Sequence, residues 1–185
     1  PGSARMSHRV YTDALSWKLL NASGCMQDGS NKSFFPNGFH GHIYAETLLD
    51  RDCDYEAVMA DYFSHLYGED WEKVVSLMDR ISEVFDFAYL EGEKSVDPER
   101  GRFFNPEQAI RLEKVPELAA EVRALAKAHT QMDVRTQSVA WQLLPYFAEY
   151  IEGLAEIHVL KAQGKEALAA VTAQKFYESF GRHEI

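Results

Sequence analysis

Cysteine is scarce in this chain, and so is any sustained apolar run. Cys25 and Cys53 are the only two cysteines in 185 residues. That is too few for a disulfide-stapled scaffold, and both are expected as free thiols. No stretch approaches the ~18 consecutive apolar residues of a membrane-crossing helix, so no membrane partner is expected. The first residues lack the charged start and apolar core of an export signal, which favours a cytoplasmic setting. Positive charge is short as well: 19 Lys and Arg stand against 29 Asp and Glu, a net charge of −10. A polyanion needs clustered cations, so no nucleic-acid partner is expected either. The phosphate-cradling glycine loop, the G-x-S-x-G elbow, the C-x-x-C pair and the dinucleotide fingerprint are all missing. From these absences the chain is expected to carry no cofactor and no catalytic constellation of its own.

What is present is helical patterning. At 46% hydrophobic and 26% charged, the composition is that of a globular chain with a real core. Residues 8–22 place Val10, Leu15, Trp17 and Leu19 on an apolar face, with Gly24 as a stop. "GCMQ" suggests a short buried strand. From residue 40, Ile43, Tyr44, Thr47 and Leu48 share a face. Asp54 is a candidate cap for a helix carrying Tyr55, Val58, Met59, Tyr62, Phe63 and Leu66, ended by Gly68. The same spacing predicts a helix over 70–90, an exposed connection over 91–105, and a helix opened by Asn105, Pro106 and Gln108. Pro116 starts another helix to residue 129. Asp133 is expected to cap a long one to about residue 162, apolar nearly all round and kinked at Pro145. A last helix shows Leu168, Val171, Phe176 and Phe180. The fold class is therefore mainly α, an irregular bundle of about six helices.

Few residues invite chemistry. Seven histidines raise the question of a metal, but His40 and His42 are two apart, not the i, i+4 pair of a helical zinc site, so no metal is assigned. His65, His129 and His158 read as surface or hydrogen-bonded core residues. Asp50, Asp52 and Asp54 cluster where a helix begins, which capping and the helix dipole explain. The stretch "DGSNKSFFPNG" is different, with Gln27, Asp28 and Asn31 close to Phe34 and Phe35. Hydrogen-bonding groups beside aromatic faces suit a sugar, yet two phenylalanines also plug a hydrophobic corner. The residues alone favour the packed corner.

The pieces "HRVYTDALSWKLL", "GCMQ", "SNKSFFPNG" and "AETLLDRDCDYEAVMADYFSHLYG" together resemble a bacterial domain-of-unknown-function family similar to glycoside hydrolases of the hexosaminidase and alpha-glucuronidase type. The similarity spans most of the chain at the level of pattern, and no single motif is diagnostic. The resemblance implies that a (β/α)8 barrel precedes this chain. Residues 1–38 would be its tail (last helix, short strand and loop), and 39–185 a helical C-terminal domain. "FYESFGRHEI" resembles a family segment that continues further, so the chain is expected to be a fragment. The loop after a last barrel strand lies on the active-site face, which makes Gln27, Asp28, Asn31, Phe34 and Phe35 the candidate substrate-binding residues. The barrel, not this chain, would supply the two carboxyl groups that glycosidases need. A carbohydrate would thus be a partner only through that barrel. The alternative is a helical protein–protein interaction or dimerisation module, which would show a contiguous apolar surface on its helix faces.

Overall fold

Several helix starts in this protein are set by a side chain that satisfies a free backbone donor, at Asp54, Asp86 and Asn105. The computed structural model describes residues 4–22, 38–50, 52–129 and 131–181. Among them the structure is mainly helical, with no strand. The helices are α1 (Ala4–Leu19), α2 (Gly38–Leu49), α3 (Tyr55–Tyr67), α4 (Trp71–Val84), α5 (Phe87–Leu90), α6 (Pro106–Leu112), α7 (Val115–Lys127), α8 (Arg135–Ala162) and α9 (Glu166–Phe180). Seven of these run twelve residues or more, close to the expected number. The expected strand at "GCMQ", the stop at Gly24 and the loop that follows lie outside the described residues.

The chain divides into two compact units, Pro1–Asp79 with Thr130–Leu143 and Arg80–His129 with Leu144–Ile185. In the first unit, Asp54 accepts a hydrogen bond from the Ala57 N–H at 2.8 Å and so starts α3. Gly68 ends it with φ at 65°, a conformation that L side chains rarely adopt. The core holds Phe39, Ile43, Tyr55, Phe63, Tyr67, Val74, Met78 and Trp141. α1 packs against α2. Leu19, expected to face inward, is 87% exposed. The helix begins at Ala4, and its buried positions are Ser7 and Ala14, one heptad apart. Tyr11 donates its hydroxyl to the Cys53 carbonyl at 2.9 Å. Cys53 is a free thiol 3.8 Å from Thr47 Oγ1, whereas Cys25 lies outside the described residues.

In the second unit, the helix expected to run unbroken to residue 90 stops at Val84. Asp86 accepts from the Tyr89 N–H and opens α5 instead. Its carboxylate also pairs with Lys94, and this local competition for backbone donors outweighs the helical spacing. The 91–105 connection is not simply exposed. Phe104 and Asn105 are buried. Asn105 accepts from the Gln108 N–H at 3.3 Å, donates Nδ2 to the Lys94 carbonyl at 2.8 Å, and gives its own N–H to the Ala162 carbonyl at 3.0 Å. One cap residue therefore ties three segments together. The core includes Ile81, Phe85, Tyr89, Leu112, Val115, Val122, Leu144, Phe147 and Ile151. On α9, Leu168 and Val171 are about half exposed and Ala169 is the buried residue, so its apolar face is narrower than its sequence suggests. The long helix α8 starts at Arg135, with the Val134 carbonyl accepting from the Ser138 N–H, one residue past the expected cap at Asp133.

Candidate functional site

In the first unit, α3 and the opening turns of α8 leave an unfilled space between them. Tyr62, Phe63, Leu66 and Tyr67 stand at i, i+1, i+4 and i+5 on α3. Thr136, Val139, Ala140 and Leu143 stand at i, i+3, i+4 and i+7 on α8. These two helical faces, with Met78 of α4 and Arg135, line a cavity of about 290 Å³. Small-molecule pockets run ~300–1,000 Å³, so this one suits a small ligand.

The walls are braced by rings. Phe63 stacks on Tyr67 with centroids 6.3 Å apart, and Tyr67 meets Trp141 edge-on at 5.1 Å. Tyr62 is wedged among Phe63 at 5.2 Å, Phe39 at 5.2 Å and His42 at 5.0 Å. Each such pair adds ~0.5–1.5 kcal/mol beyond the area it buries, so the walls are stiff rather than collapsible. Burial raises the phenol pKa of both Tyr62 and Tyr67, and the neighbouring Tyr62 adds to the rise at Tyr67. Both therefore stay neutral. Arg135 and Thr136 are exposed and supply the polar lining at the cavity's open side. Among the described residues, the Arg135 guanidinium has no carboxylate within ion-pair distance, and the Thr136 hydroxyl makes no hydrogen bond.

Comparison with protein-family models, with curated proteins and with solved structures finds no match. The chemistry of the site is therefore read from its geometry.

Gln27, Asp28, Asn31, Phe34 and Phe35 all lie outside the described residues. His42 touches the Tyr62 ring and serves as packing. Among the described residues, no group of three or more His, Cys, Asp or Glu side chains is placed to hold a metal ion. Reading the chain residue by residue missed Arg135 and Thr136. Their signal was available: a cation and a hydroxyl directly precede the apolar series Val139, Ala140, Leu143 on one helical face.

The second unit carries ionisable groups of a structural kind. Glu121 receives both guanidinium nitrogens of Arg80, at 2.6 and 2.8 Å. That hydrogen bonding holds its carboxyl below the usual range. Burial would raise Asp86, but the hydrogen bond from Lys94 and the Tyr89 N–H outweigh it and the net shift is downward. Arg123 clamps Glu152 through both carboxylate oxygens. His158 is buried edge-on to Tyr89 and Phe103, each 5.8 Å away, while the Tyr89 hydroxyl donates to the His158 carbonyl at 3.0 Å. Burial, reinforced by Lys161, pushes the His158 pKa down to about 4, so the ring is neutral near pH 7.

Proposed function

We propose that this chain is the helical C-terminal region of a carbohydrate-active, glycoside-hydrolase-like protein. In this reading it supports and borders a sugar site, while a preceding barrel carries the catalytic carboxylates. The observation that carries the proposal is the anchorage on both sides of residues 23–37. On the near side, Trp17 of α1 packs edge-on against Tyr44 of α2 at 5.9 Å. On the far side, Phe39 is 2% exposed and locked among Tyr55, Tyr62 and Phe63. A segment whose two ends are fixed to packed helices is the usual setting of a binding loop. Asp86 and Glu121 are both held ionised, the opposite of the raised pKa that a glycosidase acid needs. They belong to scaffolding.

In this reading Gln27, Asp28 and Asn31 offer hydrogen bonds, and Phe34 or Phe35 offers a ring face to a sugar. One wall leaves most of a ligand wet, so the isolated chain binds simple sugars no better than millimolar, ~4 kcal/mol. Titration calorimetry on the barrel-containing parent tests the idea. Its sugar affinity should drop with Asp28→Ala or Phe35→Ala. An affinity unchanged by both substitutions would reduce the loop to a packed corner. A second reading, a protein-interaction module, draws on Leu168 and Val171, which lie one turn apart on α9 and are 52% and 51% exposed.

A further inference from the structure

We infer that the cavity between α3 and α8 is a binding site for a small apolar monocarboxylate, either a medium-chain aliphatic acid or an aryl acid. This goes beyond the sugar-site reading, because it rests on residues of α3, α4 and α8 alone.

Three observations point to that class of ligand. The walls are aromatic and aliphatic side chains from Tyr62, Phe63, Leu66, Val139 and Leu143, which reward an apolar body. A volume of about 290 Å³ limits that body to a short chain or a single ring. The one charged group of the described lining is the Arg135 guanidinium, with the Thr136 hydroxyl beside it in sequence and the phenols of Tyr62 and Tyr67 on α3. In a chain of net charge −10, carboxylates are plentiful, and Arg80 and Arg123 have each taken one. Arg135 has none among the described residues, although it lines the cavity's open side. A guanidinium presents paired N–H donors that match the two oxygens of a carboxylate. A ligand with an apolar tail and one carboxylate head satisfies both parts of the site. A cationic amphiphile would set like charges together, and a neutral alcohol would leave the guanidinium unused.

Titration calorimetry of the whole chain should use four probes: octanoate, phenylpropanoate, octylammonium and octanol. The better of the two carboxylates is expected to bind about tenfold tighter than octylammonium, which corresponds to ~1.4 kcal/mol. Which carboxylate wins tells an aliphatic ligand from an aryl one. Arg135→Gln should weaken the carboxylates by about fivefold or more while leaving octanol within about twofold. Val139→Trp adds bulk at a residue that is 46% exposed, and it should weaken every probe. Circular dichroism checks that both variants keep their helix. Should Val139→Trp unfold the chain, the Arg135→Gln comparison still decides. Equal binding of octanoate and octylammonium, an Arg135→Gln variant that binds octanoate as wild type does, or no heat from any probe at millimolar concentration would each overturn the inference.

Discussion

Gly38 ends the "FFPNG" stretch and begins α2, and its missing side chain is needed by one neighbour. A Cβ at residue 38 would lie 2.6 Å from the Tyr62 hydroxyl oxygen, while the next atom, Tyr62 Cζ, is at an ordinary 3.8 Å. Phe39, His42 and Phe63 restrain the ring, with centroids 5.0 to 5.2 Å away. Forcing one extra carbon into such packing costs ~1–3 kcal/mol. The backbone itself accepts alanine, since Gly38 is not among the glycines with positive φ. Lower chain entropy in the unfolded state then returns ~0.4–1 kcal/mol. Gly38→Ala should therefore destabilise by about 1 kcal/mol net. Tyr62→Phe removes the one atom in the way, and that hydroxyl has no hydrogen-bond partner among the described residues. In the Tyr62→Phe background the same Gly38→Ala change should be neutral or slightly stabilising. Urea melts of the four proteins give the coupling, expected at ~1–2 kcal/mol. Additivity within about 0.5 kcal/mol would show that the hydroxyl is not the obstacle and refute the argument.

Phe63→Ala should cost ~3–5 kcal/mol by lost transfer free energy plus a cavity, toward the lower figure because the ring already borders empty space. A urea midpoint corresponding to a loss under about 1 kcal/mol would contradict the assigned face. His158 should make the fold acid-sensitive in a defined window. Its folded pKa is pushed down to about 4 and the unfolded value is ~6.5, so between them the unfolded chain binds the extra proton. Stability from this group is present above pH ~6.5 and is lost as pH falls toward 4, by up to ~3 kcal/mol. Urea midpoints measured across that range should flatten in His158→Gln, and equal slopes in the two proteins would rule His158 out as the cause.

Periodicity was enough to read the long helices, because burial of one stripe repeats every turn. Tyr55 and Phe63 on α3, and Val74, Met78, Ile81 and Phe85 on α4 or just past it, are buried as their spacing implies, while Val58, Met59, Tyr62 and Leu66 are only partly so. Caps were legible at Asp54 and Asn105, where one side chain meets one backbone donor a few residues on. The break at Asp86 was not legible. The same Asp that fits a solvent position in a continuous helix also caps a new one, and its partners Lys94 and Arg111, eight and twenty-five residues away, tip the balance. The 91–105 segment misled for a similar reason. Its charges look solvated, yet Arg100 lies over the Phe104 ring, with its guanidinium carbon 3.8 Å from the centroid, and Asn105 is pinned by partners distant in sequence. The cavity was hidden for the most general reason. A face of well-spaced apolar residues reads the same whether its far side is filled or empty.

The start of α2 and the cavity meet at one side chain. Gly38 and Phe39, the first residues after the 23–37 segment, rest on the Tyr62 hydroxyl and ring, and Tyr62 is also cavity lining. Tyr62 is half-buried and has rings on three residues around it, so its position is set by packing rather than by solvent. Whatever fixes that ring from the cavity side also acts on the first turn of α2. Closely packed rings pass a displacement on to their neighbours wherever no empty space adjoins them. Phe39, Tyr62 and Phe63 form a mutually touching triplet, with all three centroid distances at 5.2 Å. A shift of one ring toward the other two is therefore shared by them. Tyr62 is accordingly where a change in the cavity lining registers at the start of α2.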